Sequence, residues 1–154
     1  MRKWLPWLVV VSTVVVLDQW SKRWILQFMA ETPLRFVNDW FNLVLAHNQG
    51  AAFSFLAGAG GWQREFFSAV ALLAIGFMVW MIGRHPEDRR FCLGLSLISG
   101  GAAGNLIDRI RWGTVTDFIQ WHVGAHYWPA FNVADSAITL GVVLLIWDSW
   151  RSRF

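Results

Sequence analysis

Asp18, Asp108, Asp117 and Asp135 are four of only ten acidic residues in this 154-residue chain. Carboxylates can do hydrolytic chemistry in pairs. Two that share a water cannot both ionise easily, so one pKa rises and the pair holds a single proton. The charged member takes a proton from water. The neutral member donates one to a carbonyl oxygen and later to the leaving nitrogen. Such a pair cuts an amide near neutral pH without a metal. Its members need not be close in sequence, so spacing alone does not choose among the four.

Each aspartate also has a plainer reading. Asp18 and Lys22 are four apart, with Gln19 and Ser21 between them, and read first as an ion pair on one helix face. Asp108 and Arg109 could be a helix-end charge pair, with Asn105 one turn before Arg109. Asp117 lies among Val115, Phe118 and Ile119, apolar enough to embed it at a membrane interface. Asp135 falls in the first turn of a helix, where the dipole favours an anion. Asn132 is a candidate cap, which leaves Asp135 inside the helix.

Other hydrolytic signatures are missing. There is no HExxH, GxSxG or phosphate-binding loop. His47 and Ser54 share one stretch without an evident third partner. His122 and His126 are four apart and suggest a zinc site, but the usual ligand set is lacking, and no metal or other cofactor is expected. Cys92 is the single cysteine and reads as a buried, inert thiol.

The elements that must position these groups are apolar. The composition is 56% apolar and 15% charged, against roughly a quarter charged in an ordinary soluble domain. The mean hydropathy is +0.42. The net charge of +3 would suit nucleic acid only if it formed a basic stripe; here the charges fall in short clusters between apolar runs. Four runs suit membrane helices, over about 4–25, 66–82, 91–109 and 131–148. The first lacks a small-x-small cleavage site and reads as an uncleaved helix rather than a signal peptide. Ser96, Gly100 and Gly104 make a small-residue face on the third, suited to close helix approach, and Asp108 continues it.

An even number of spans puts both termini on one side. That side holds Arg2, Lys3, Arg84, Arg89, Arg90, Arg151 and Arg153 against three acids. The other side holds six basic residues against seven acids. The basic groups on the first side are flush with span ends, which places the termini in the cytoplasm. Two segments, 27–61 and 110–130, then lie outside. The first contains Leu34–Val37, a turn at Asn38-Asp39 and Trp40–Ala46, a hairpin or small sheet, followed by a Gly/Ala-rich stretch suited to a short surface helix. The second carries Trp112, Trp121, Tyr127 and Trp128, residues of the headgroup level, and both segments are expected to rest on the bilayer. No repeat or linker divides the chain, so a single domain over 1–154 is expected.

Five blocks occur in a recognisable order: Asp18-Gln-Trp-Ser-Lys22, Asn48-Gln-Gly50-Ala-Ala-Phe53-Ser, Gly100-Gly-Ala-Ala-Gly104-Asn105-Leu-Ile-Asp108-Arg109, Gly113-Thr-Val115-Thr-Asp117-Phe118 and Phe131-Asn132-Val-Ala134-Asp135-Ser. Together they resemble the lipoprotein signal peptidase family (signal peptidase II), over essentially the whole chain. The resemblance implies an all-α membrane protein of four transmembrane helices, with a small extracytoplasmic β-cradle and a short mobile surface helix. It implies an aspartyl peptidase of the bacterial inner membrane, probing lipidated prolipoproteins and cutting before the diacylglyceryl-modified Cys to release the signal peptide. It makes Asp117 and Asp135 the catalytic pair, supported by Asp18, Lys22, Asn48, Gly50, Asn105, Asp108, Arg109, Asn132 and Ala134. The expected partners are those prolipoproteins and membrane lipids, with no nucleic acid, and the enzyme is expected to be a monomer.

Two other classes compete. A metallo-hydrolase would use His122 and His126. A transporter or channel subunit would use the carboxylates as an ion path, but it wants polar groups through the membrane depth, and here they gather at one rim.

Overall fold

The computed structural model describes residues 3–49 and 62–151. Its elements are α1 (Leu5–Phe28), β1 (Leu34–Asn38), β2 (Phe41–Asn48), α2 (Gln63–Arg84), α3 (Arg89–Trp112), β3 (Val115–Val123), β4 (His126–Tyr127) and α4 (Val133–Arg151). Gly50 and the Gly/Ala-rich stretch expected to form a surface helix lie outside the described residues.

Among the described residues α2, α3 and α4 are long and apolar enough to cross a membrane. α1 is as long as α3, with 24 residues, but its second half carries Asp18, Gln19, Ser21 and Lys22. α3 is the central helix and packs against α1, α2 and α4. The outward faces are apolar, with Leu8, Val16, Leu73, Phe77, Val143 and Ile146 among many exposed side chains, as a lipid-facing surface requires.

Local chemistry sets the helix ends. Asp88 caps α3 by accepting from the Phe91 N–H at 3.1 Å. Gly113 ends it in the left-handed region, φ 75°, and returns its N–H to the Arg109 carbonyl. The Arg64 guanidinium, from the start of α2, donates to the Ile110 carbonyl at 2.7 Å and so ties the start of α2 to the end of α3.

The small-residue face of α3 does what its spacing predicts. Gly100 meets Val14 of α1, and a methyl at Gly104 would lie 2.5 Å from Asp18 Oδ2. Gly101, one position round, lets Ala134 of α4 approach as closely on the other side. Glycine is therefore what brings α1 and α4 together over one stretch of α3.

The expected hairpin is present, and the sheet is larger than the sequence indicates. β1 and β2 pair antiparallel, with Leu34 opposite Val44. β3 adds to β2, with Phe41 opposite Trp121 and Ala46 opposite Asp117, across a register shift between Leu43 and Ala46. β4 closes the order β1-β2-β3-β4. The segment 110–130 was expected only to rest on the bilayer. It instead joins the first outer segment in one sheet, because Val115, Phe118 and Ile119 give it a buried side.

Two apolar clusters hold the ends of the bundle. Ile25, Met29 and Phe118, with Leu43, Ile119 and Val133 around them, seat the sheet on α1 and α4. Met78, Ile82, Cys92 and Leu95, with Trp7 and Leu145, close the opposite end. Beyond that second cluster Lys3 pairs with Glu87, and Arg90 with Asp148 at 3.8 Å. The described charges near the termini thus gather at the end away from the sheet.

Candidate active site

β3 and α4 bring Asp117 and Asp135 to one cavity. Asp117 stands on β3, buried, opposite Ala46 of β2. Asp135 is in the first turn of α4. That turn is a reciprocal cap. Asn132 Oδ1 accepts from the Asp135 N–H at 2.9 Å, and Asp135 Oδ2 accepts from the Asn132 N–H at 3.3 Å. Asn132 is therefore the cap its sequence position suggests, and the capping geometry itself aims Asp135.

Two asparagines link the carboxylates. Asn132 Nδ2 donates to Asp117 Oδ1 at 2.7 Å and to Asn105 Oδ1 at 3.2 Å. Asn105 Nδ2 donates to Asp135 Oδ1 at 2.8 Å. Asn48, at the end of β2, donates to Asp117 Oδ2 at 3.3 Å. Each carboxylate thus accepts from an amide, and one asparagine touches the other.

Behind this pair lies a buried charge cluster. Lys22 Nζ is 2.9 Å from Asp18 Oδ2 and 2.9 Å from Asp108 Oδ2, and it donates to Asn105 Oδ1 at 3.0 Å. An ammonium can only donate, so it fixes the Asn105 amide with oxygen towards Lys22 and nitrogen towards Asp135. Asp18 Oδ1 also accepts from the Ala134 N–H at 3.0 Å, at the start of α4. Asp108 accepts from Gln19 at 2.8 Å and from the Thr116 N–H at 3.2 Å, which ties β3 to α3. Three charges this deep persist only with such complete hydrogen bonding.

The electrostatics single out Asp117. Burial pushes its carboxyl up, the charge of Asp135 pushes it further, and the Asn132 and Asn48 donors and Lys22 pull it back, leaving it at about 7. It carries a proton in part of the population at neutral pH. The cavity into which both carboxylates open has a volume of about 1430 Å³. Phe67, Val70 and Ala74 of α2 face Ile138 and Val143 of α4 across it. Arg109 lines it as well, its guanidinium 5.4 Å from the Phe67 ring centre and within electrostatic reach of both aspartates.

Of the residues singled out in the sequence, Asp18, Lys22, Asn48, Asn105, Asp108, Arg109, Asn132 and Ala134 all gather around Asp117 and Asp135. Gly50 lies outside the described residues. Gln19 and Thr116 belong to the same network and were missed. Gln19 had the signal of an amide next to Asp18 on a helix, whereas the Thr116 contribution is a backbone N–H that no sequence pattern announces. His122 and His126 sit on the β3–β4 hairpin, where the His122 ring stacks on Tyr127. Among the described residues no three His, Cys, Asp or Glu side chains come together as a metal would require.

The chain is similar to known proteins over most of its length. The family model for signal peptidase (SPase) II matches residues 10–151. The lipoprotein signal peptidase of Cupriavidus taiwanensis is 52% identical over 147 residues, covering 96% of this chain and 84% of that protein. That of Ralstonia nicotianae is 51% identical over 146 residues, covering 95% and 84%. A bacterial membrane enzyme solved by the in meso method at 2.3 Å superposes with a TM-score of 0.83 at 28% identity, covering 96% of this chain and 89% of the other. A second such enzyme, solved at 1.9 Å, gives 0.74 at 30% identity, covering 92% and 90%.

Proposed function

The chain belongs to the signal peptidase II family, a family of membrane peptidases, and from that premise we propose that it removes signal peptides from diacylglyceryl-modified prolipoproteins by a two-aspartate mechanism. The scissile bond is the one before the lipidated Cys. The observation that carries this reading is the pairing of Asp117 and Asp135 at one cavity, each held by an asparagine, with Asp117 poised at about 7.

The chemistry follows from that arrangement. A water between the carboxylates gives a proton to the charged one and attacks the carbonyl carbon. The protonated one donates to the carbonyl oxygen. The tetrahedral intermediate then collapses, the C–N bond breaks, and a carboxyl proton goes to the leaving nitrogen. The amides of Asn132, Asn105 and Asn48 keep the four carboxylate oxygens from turning away from the water. Arg109 offsets the negative charge of the pair.

The same reading gives the placement in the membrane. All four helices cross the bilayer, with α1 tolerating its polar half because Asp18 and Lys22 face α3 and α4 rather than lipid. Both termini lie in the cytoplasm of a bacterial inner membrane, supported by the basic residues near the ends of α2 and α3 and at the termini. The aspartates lie at the other rim. There the acyl chains of a substrate stay in lipid while its peptide bond meets water. The enzyme acts as a single domain and as a monomer.

The test is incubation of the protein, in detergent or lipid, with a diacylglyceryl-modified prolipoprotein and with its unmodified twin. Cleavage of the lipidated form alone is expected. Equal cleavage of both would remove the lipid from the recognition, and cleavage of neither would remove the activity.

A further inference from the structure

Arg109 brings a positive charge to the wall of the cavity that holds Asp117 and Asp135. It interacts electrostatically with both of them and with Asp108. An arginine side chain is long and rich in rotamers. A charge fixed beforehand costs no reorganisation when charge moves in a reaction, whereas one that swings freely does. The use of Arg109 therefore depends on what holds its guanidinium.

The first turns of α2 meet that need. Asp108 faces α1 and β3, where Lys22, Gln19 and the Thr116 N–H reach it. The next residue of a helix points about 100° further round. For Arg109 that direction is α2, where its Cζ stands over the Phe67 ring, 5.4 Å from the centre. The face of an aromatic ring attracts a guanidinium, most strongly where water is scarce. Arg64 lies one turn before Phe67 on the same side of α2. Its bond to the Ile110 carbonyl, at 2.7 Å, pins α2 to α3 at the residue next to Arg109. Phe66 meets Phe67 edge-on, ring centres 5.3 Å apart, and limits the tilt of that ring.

Phe67 is also part of the cavity wall, with Val70, Ala71 and Ala74 of α2. A wall asks only for an apolar side chain, which the other three supply as aliphatic groups. The aromatic one stands where the cation is.

We propose that Phe67 is a positioning residue of the reaction: the face of its ring holds the Arg109 guanidinium beside Asp117 and Asp135, and Arg64 keeps α2 in place for it. The proposal rests on the peptidase reading.

Steady-state cleavage of a diacylglyceryl-modified prolipoprotein by Phe67→Leu, Phe67→Met and Phe67→Tyr tests it, with each variant's folding followed by its unfolding transition. Leucine and methionine keep an apolar wall and lose the ring. Their kcat is expected to fall about tenfold, the worth of a desolvated contact between a cation and a ring, with KM changed less. The alkaline limb of their kcat–pH profile is expected to move up, because a carboxyl that loses a nearby cation holds its proton more tightly. Asp135 and Lys22, the other charges that act on Asp117, are untouched by these variants. Tyrosine keeps the ring and is expected to keep both kcat and the limb. A folded leucine or methionine variant with wild-type kcat and an unmoved limb would overturn the proposal. So would a loss confined to KM, which an apolar wall alone explains, or a tyrosine variant as impaired as the other two. Failure of the underlying reading looks different: the wild-type protein then leaves the substrate uncut.

Discussion

Asn132 donates from Nδ2 to Asp117 Oδ1 at 2.7 Å. The oxygen of the same amide caps α4 by accepting from the Asp135 N–H at 2.9 Å. One side chain therefore sets the start of a helix and the position of both carboxylates. The two duties are separable. Serine also caps a helix but is too short to reach Asp117.

Asn132→Ser is expected to unfold within about 1 kcal/mol of the wild-type protein, while cleavage falls at least about a hundredfold. Asn132→Ala should lose activity as well and a further 0.5–2 kcal/mol or so for the missing cap. Thermal unfolding in detergent and steady-state cleavage read the two effects separately. An Asn132→Ser enzyme with normal turnover would show that the bond to Asp117 is dispensable.

Lys22 bridges Asp18 and Asp108 from within the bundle, at 2.9 Å from each. Lys22→Met leaves two buried carboxylates without their cation, and breaking such a cluster costs about 3–5 kcal/mol. Asp18→Asn with Lys22→Met should recover part of that loss. It should not recover full activity, because the ammonium that orients the Asn105 amide is still missing. Equilibrium unfolding measures the first statement and cleavage rates the second.

The pH dependence follows from Asp117. Its pKa in the fold is about 7, above the ordinary 3.8. A raised carboxyl is favourable to the fold while protonated, so its contribution is fully present below about 4 and is lost as pH rises through about 7. Activity needs the shared proton and should decline over the same alkaline limb. Asn48 donates to Asp117 and favours its charged form. Asn48→Ala therefore moves the limb to higher pH, which a kcat–pH profile measures. A limb that stays in place, or moves down, contradicts the assigned role of Asn48.

Gly104 separates α3 from the Asp18 carboxylate by less than the width of a methyl group. Gly104→Ala should destabilise the protein by about 1–3 kcal/mol, the usual cost of overpacking a close seam. Gly76 has open space around it. Gly76→Ala should instead be neutral or slightly stabilising within its helix. The paired unfolding measurements distinguish a required glycine from a tolerated one.

The helices were legible in the sequence because their signal is local: long uncharged runs bounded by Asp88, Gly113 and Asn132. The ion pair of Asp18 and Lys22 was legible for the same reason, being one helical turn. β3 was not. Its strand residues lie between Gly113 and Gly124, which read as loop punctuation, and its pairing partner β2 is some seventy residues earlier. The choice of Asp117 and Asp135 among four aspartates also lay beyond spacing. It came from resemblance to a family, and no local pattern could supply it: the two groups come from a strand and a helix that long-range contacts bring together, the Ile119–Phe131 bridge and the amides of Asn132 and Asn105. His122 and His126, four apart, together suggested a metal pair. The fold stacks His122 on Tyr127 instead.

The most direct test of the two-aspartate account is cleavage of a diacylglyceryl-modified prolipoprotein by Asp117→Asn and Asp135→Asn, each shown to fold by its unfolding transition in detergent. Asparagine keeps the shape and removes the ionisable group. The account predicts that both folded variants leave the substrate uncut under conditions where the wild-type protein cuts it completely. Normal turnover by either folded variant would contradict it.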